Sequence, residues 1–293
     1  DGRRTPLESA APALDASRLQ VELRQTRSRD GQAIEYYLLG PRQRRPGPTP
    51  TLMTGYGAFG ISITPAYFTT MMGGIFGGAT LKLWLDRGGA LVVPAIRGGG
   101  EGGAAWHQAA MRDKRQTSYD DFHAVAQALI DSGYTDRQRL GVFGLSNGGL
   151  LAAVAGTQRP DLYGAIVSDV PLADMLRFPE MGMGAAWINE YGDPKDPKAA
   201  EWLRAYSPVH AVKKGVDYPA FLVTVATTDN RVGPGHARKL AHRLMDVGAP
   251  VHYLEPDGGG HGVSDTLQRP DMMAKRITFL IDRLMGAPVP STK

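Results

Sequence analysis

The sequence predicts an α/β protein: a mostly parallel, twisted sheet with helices on both faces, formed as a single domain over its 293 residues. Three observations carry this. Short apolar runs of strand length alternate with longer amphipathic stretches of helical period, the pattern of strand–helix–strand crossovers. The length is enough to bury a full core, and an α/β sheet of this size forms one domain. One strand also passes into one helix through Gly144-Leu145-Ser146-Asn147-Gly148, a turn that crowds strand against helix.

The elements follow in order. Residues 1–18 and 286–293 are expected to be peripheral ends. Leu19–Arg27 and 34–39 read as a β-hairpin about Arg29-Asp30-Gly31. Residues 41–50 are a proline-rich loop, not a domain boundary, and strands follow at Thr51–Thr54 and 90–95. Between those strands, residues 71–79 are apolar and glycine-rich, and Lys82 follows, so the run is too short to span a bilayer. It reads as a loosely packed start to a helix through Leu81, Leu83, Trp84 and Leu85, with a mobile flap beside the site as the alternative. Residues 119–133 form an amphipathic helix with Phe122, Val125, Ala126, Leu129 and Ile130 on one face. The turn at Ser146 has its strand at 139–143 and its helix from Gly149 onward. Later strands are expected at 164–168, 220–226 and Val251–Leu254, and helices at 235–247 and 272–285.

Composition narrows the function classes. The net charge of +4 is mild, and Arg42-Gln43-Arg44-Arg45 is a short solvated loop rather than a nucleic-acid-binding arm. There are no cysteines, which excludes disulfides, thiolate catalysis and cysteine metal sites. No cofactor, metal, nucleic acid or membrane partner is expected. The start, Asp1-Gly2-Arg3-Arg4, lacks methionine and reads as a processed or cloned end of a soluble, cytoplasmic or periplasmic chain.

Chemistry enters at Ser146. A G-x-S-x-G turn between strand and helix is a nucleophile elbow: the serine oxygen stands clear of the sheet, with helix N-terminal amides behind it for a developing oxyanion. The fold class is then the α/β-hydrolase fold, in which an acid and a histidine follow the serine, acid first. His107 and His123 precede Ser146, His210 lies in a connecting turn, His236 and His242 lie on a helix, and His252 lies in a strand. His261 remains, in the loop Gly258-Gly259-Gly260-His261-Gly262, and is the candidate base. Asp229, where the 220–226 strand ends, is the favoured acid. Asp257 competes by closeness to His261, but its place after Pro256 marks a turn-maker.

These residues belong to an ordered set. Tyr56-Gly57-Ala58-Phe59, Ile96-Arg97-Gly98-Gly99-Gly100-Glu101, Trp106-His107, Ser146-Asn147-Gly148-Gly149-Leu150 and Gln158-Arg159-Pro160-Asp161-Leu162 come first. Trp187 with Tyr191-Gly192, Tyr206-Ser207-Pro208, Asp229-Asn230-Arg231-Val232 and Gly260-His261-Gly262 complete it. Over most of its length the chain resembles the peptidase domain of the prolyl oligopeptidase family of serine peptidases.

That resemblance implies cleavage of short peptides after proline. It implies that Trp187 stacks on the proline ring, with Phe59, Leu172, Tyr191, Asn147 and Val232 around it, while Arg231 grips a substrate carbonyl. The alternatives are that Trp187 and Phe59 are ordinary core residues and that Arg231 pairs with a carboxylate. The resemblance also assigns the Tyr56 hydroxyl to the oxyanion hole. The backbone amide of Asn147, next after the nucleophile, is the other donor. Ala58, Leu145 and Asn230 depart from the family pattern without removing a catalytic atom. The family's β-propeller has no room in 293 residues, so it is expected to be missing here. An open site of that kind leaves an esterase acting on small esters through the same triad as the alternative to a peptidase. Both form an acyl-enzyme.

Overall fold

The computed structural model describes residues 15–63, 78–262 and 269–286. The run at 71–79 therefore falls outside the described residues, apart from the backbone of the first helical turn. The strands are β1 (Leu19–Arg27), β2 (Ala33–Pro41), β3 (Thr51–Thr54), β4 (Ala90–Pro94), β5 (Leu140–Leu145), β6 (Ala165–Asp169), β7 (Ala220–Thr224) and β8 (Val251–Leu254). The helices among the described residues are α1 (Gly78–Asp86), α2 (Ala104–Gln108), α3 (Gln116–Asp131), α4 (Asn147–Gln158), α5 (Ile188–Tyr191), α6 (Pro197–Tyr206), α7 (Pro208–Ala211), α8 (Gly235–Asp246) and α9 (Pro270–Leu284).

The strands form one sheet in the order β1-β2-β4-β3-β5-β6-β7-β8. β1 and β2 make the expected hairpin, and β2 joins β4 antiparallel. Every later pairing is parallel, from β4–β3 to β7–β8. This is the α/β-hydrolase fold, and alternation along the strands explains it. Met53, Val92, Val142, Ile166, Phe221 and Val223 pack on one face with Phe122, Leu151 and Leu240 of α3, α4 and α8. Leu52, Leu91, Phe143, Val167 and Leu222 pack on the other with Trp84 of α1 and Leu280 and Leu284 of α9. A sheet covered on both faces needs apolar residues at successive positions, hence strands without polar alternation. Burying each large apolar side chain contributes about 1.5–3 kcal/mol.

The long excursion between β6 and β7 is richer than its sequence pattern. It holds α5, α6 and α7, none of which the hydrophobic periodicity marks. Pro at the first turn and the Asp196 carboxylate, accepting from the Lys198 N–H at 3.0 Å, start α6. The excursion matters because it returns over the carboxyl ends of the strands, carrying Leu172, Trp187 and Tyr191.

Candidate active site

Ser146 sits between β5 and α4 with φ 61° and ψ −118°, a conformation that costs a non-glycine residue about 1–3 kcal/mol. Its neighbours make the turn possible. A Cβ at Gly144 would lie 1.8 Å from the Gly148 carbonyl oxygen, and one at Gly148 would lie 2.8 Å from the Gly55 carbonyl oxygen. The Ser146 N–H is tied to the Asp169 carbonyl at 2.9 Å, which anchors the elbow to the end of β6. Asn147 then opens α4 directly behind the serine, two residues earlier than hydrophobicity alone indicates.

Asp229 and His261 come from the segments that follow β7 and β8, which are neighbours in the sheet. His261 Nδ1 lies 3.0 Å from Asp229 Oδ2 and 3.2 Å from Oδ1. Oδ1 also accepts the N–H groups of Arg231 at 3.0 Å and Val232 at 3.1 Å. Burial of Asp229 opposes ionisation, but the hydrogen bond and charge of His261 with these two backbone donors outweigh it. The carboxyl is held below its usual range. With Nδ1–H directed at the carboxylate, the lone pair of a neutral imidazole sits on Nε2. Asp257 is exposed and accepts from the Thr227 hydroxyl at 2.8 Å. Thr227 and Thr228 in turn accept the Gly258 N–H at 3.2 Å and the Gly260 N–H at 3.1 Å. These two threonines, which sequence reasoning passed over, fasten the histidine loop to the acid loop.

Tyr56 follows β3, the strand beside β5. Burial pushes its phenol pKa up, partly offset by hydrogen bonds to the Ser146 side chain and the Asn147 backbone and by the charges of Arg231 and Arg115. The Tyr56 hydroxyl thus lies beside the Ser146 side chain and the Asn147 backbone, at the carboxyl ends of the parallel strands, where open α/β sheets bind ligands.

The residues proposed around a substrate ring divide into two groups. Tyr191, Leu172 and Val232 are buried, at 0%, 2% and 0% exposure. The Tyr191 hydroxyl donates to Asn147 Oδ1 at 2.7 Å, and its ring meets Phe59 edge-on at 5.7 Å. Phe59 and Trp187 are half-buried, and Arg231 is exposed. Among the described residues the Arg231 guanidinium has no ion-pair partner. A cleft of about 690 Å³, lined by residues including Arg137, Tyr163, Tyr218 and Arg283, opens at the amino ends of β5 to β8. It lies at the wrong end of the sheet for the Ser146 chemistry, and size alone does not make it the site.

Three further ionisable residues stand beside the elbow without having been singled out for chemistry. They are His107, Arg115 and Glu190, joined to one another and to Asn147. Their signal in the sequence is slight: a carboxylate between Trp187 and Tyr191, and an arginine ahead of an amphipathic helix. Among the described residues, no cluster of three or more side chains suits a metal ion, and no helix is long and apolar enough to cross a membrane.

The description "Prolyl oligopeptidase family" belongs to the family profile that matches residues 76–286. The chain belongs to that family. An uncharacterised peptidase of Sinorhizobium fredii is 43% identical over 268 residues, covering 91% of this chain and 36% of its own. A prolyl endopeptidase of Elizabethkingia miricola is 35% identical over 247 residues, covering 83% of this chain and 34% of its own. The solved structure of a post-proline cleaving enzyme from Rickettsia typhi superposes with a TM-score of 0.88 at 34% identity, covering 95% of this chain and 40% of its own. The chain therefore spans a little over a third of the length of the curated relatives it matches.

Proposed function

We propose that the chain is the catalytic part of a serine peptidase that cleaves peptides after proline. The observation that supports the reading most is the elbow with its oriented histidine. Ser146 is presented on a strained elbow with the Tyr56 hydroxyl beside its side chain and Asn147 opening α4 after it, and His261 is oriented by a buried, ionised Asp229. Ser146 Oγ attacks the scissile carbonyl while His261 Nε2 accepts its proton, and Asp229 stabilises the imidazolium without taking the proton. The carbonyl oxygen becomes an oxyanion that accepts from the Tyr56 hydroxyl and the Asn147 N–H. The imidazolium then protonates the leaving amine, which departs and leaves an acyl-Ser146 ester. Water, deprotonated by His261, hydrolyses that ester.

Proline specificity is supported by the half-buried indole of Trp187 and ring of Phe59, the latter edge-on to the buried Tyr191, and by the buried apolar side chains of Leu172 and Val232. A rigid apolar ring suits aromatic and aliphatic walls of this kind. Arg231, exposed and without an ion-pair partner among the described residues, is the side chain assigned to a substrate carbonyl. The names of the relatives point the same way. The test is turnover of a peptide with one internal proline against its alanine counterpart and a p-nitrophenyl ester. The reading expects cleavage on the carboxyl side of proline, preferred over alanine by at least about tenfold, the scale of one apolar pocket contact. Rapid ester hydrolysis without any proline preference would replace it with the esterase.

A further inference from the structure

Behind the elbow lies a buried ion cluster for which the mechanism above has no use. Glu190 and Arg115 are 4% and 1% exposed. Glu190 Oε1 accepts the Phe59 N–H at 3.0 Å and Arg115 Nη1–H at 3.1 Å. Its Oε2 lies 2.7 Å from His107 Nε2. Arg115 Nη2–H donates at 2.9 Å to Asn147 Oδ1, which also accepts the Tyr191 hydroxyl, and the guanidinium sits 5.1 Å over the Tyr191 ring. Asn147 Nδ2–H donates to the Tyr56 carbonyl oxygen.

One carboxylate therefore reaches both flanks of Ser146. On one side it holds the N–H of Phe59, whose φ of 58° is unfavourable for a residue with a Cβ and needs an external tie. Tyr56 lies three residues earlier in the same turn. On the other side it holds Arg115, which fixes the side chain of Asn147, the residue whose backbone N–H is the second oxyanion donor. Burying a carboxylate and a guanidinium costs several kcal/mol per ion, and well-packed apolar residues would serve stability as well or better. The partners of this pair belong mostly to the site, which gives the cost a purpose.

We propose that Glu190 is a positioning residue: through Phe59 on one side and Arg115–Asn147 on the other, it sets the spacing between the Tyr56 hydroxyl and the Asn147 N–H. His107 closes the cluster on its solvent side. The proposal rests on the reading of those two groups as the oxyanion donors. Donors aimed at a charge that exists only in the transition state act on turnover rather than on substrate affinity. A misplaced pair should therefore lower kcat and leave KM nearly unchanged.

The experiment is a double-mutant cycle of Glu190→Gln and Tyr56→Phe, with active sites titrated by a fluorophosphonate and kcat and KM read on one chromogenic proline peptide. Glu190→Gln should lower kcat about 5- to 100-fold, and by less than Tyr56→Phe, which deletes one donor outright at a cost of about 10- to 1,000-fold. Its KM should stay within about threefold. In the Tyr56→Phe background the same substitution should cost at least about threefold less, because coupled groups are not additive. Glu190→Asp, which keeps the charge, should recover part of the rate, and it carries the same cycle if Glu190→Gln does not fold. Equal losses in both backgrounds, or a loss confined to KM, would overturn the proposal. A slowed Tyr56→Phe beside a full-speed Glu190→Gln overturns the brace alone. A full-speed Tyr56→Phe overturns the oxyanion reading and the brace with it.

Discussion

In the proposed mechanism Ser146, His261 and Asp229 act as a unit, so removing one member removes most of what the unit does. Ser146→Ala is expected to lower turnover about a million-fold while the unfolding midpoint stays near wild type. Tyr56→Phe is expected to lower kcat about 10- to 1,000-fold, or about 1.4–4 kcal/mol, with little change in KM. A change confined to KM would assign Tyr56 to ground-state binding. Trp187→Ala is expected to reduce the preference for proline over alanine by about 1–3 kcal/mol, read as a ratio of kcat/KM values. What the sequence discloses at this scale follows from locality. Ser146 is legible because its elbow is written in five adjacent residues, and Asp229 and His261 because each ends a strand in chain order. Glu190, Arg115 and His107 are not. They come from three separate segments that meet only when the β6–β7 excursion folds back over the strand ends.

The elbow works as an element because strand and helix nearly touch. A methyl group at Gly144 would lie 1.8 Å from the Gly148 carbonyl. Gly144→Ala is therefore expected to destabilise the protein by at least about 3 kcal/mol, the upper end of ordinary overpacking, or to prevent folding, as read by urea unfolding. α8 supplies a second anchor. Its His236 is wholly buried, and Nδ1 accepts the N–H groups of Ala173 at 3.1 Å and Asp174 at 3.0 Å, pinning the loop that carries Leu172. Periodicity places His236 on a helix but is silent about which backbone it meets. The α6 helix was missed for a related reason: its signals are its cap and proline, not an apolar stripe long enough to read.

Across the whole molecule, acid should act through buried histidines. Burial pushes His236 and His123 from an ordinary 6.5 down to about 4. A depressed folded-state pKa means that each imidazole stays neutral in the folded protein while it takes up a proton in the unfolded chain. Stability is thus complete above about pH 6.5 and is lost as pH falls through 4, by about 3 kcal/mol for each histidine. Urea midpoints between pH 7 and 4.5 should fall accordingly, and a flat profile would show that these imidazoles are not held neutral. The fold itself was the most legible scale, because a sheet covered on both faces writes its strands as continuous apolar runs. The antiparallel junction of β2 with β4 was not legible, since strand order depends on pairings between distant segments.

The central claim joins a nucleophile to a specificity, and one measurement reads both. With an N-blocked Gly-Pro p-nitrophenyl ester, whose leaving group makes acylation fast, deacylation is expected to limit turnover, so that a burst of acyl-enzyme builds up. Acid quench within that burst, followed by digestion and mass spectrometry, locates the acyl group. The account predicts the Gly-Pro acyl group on Ser146, formed at least about tenfold faster than the Gly-Ala acyl group from the matching ester, as one pocket contact allows. An adduct on any other residue, or equal rates for the two esters, would contradict it.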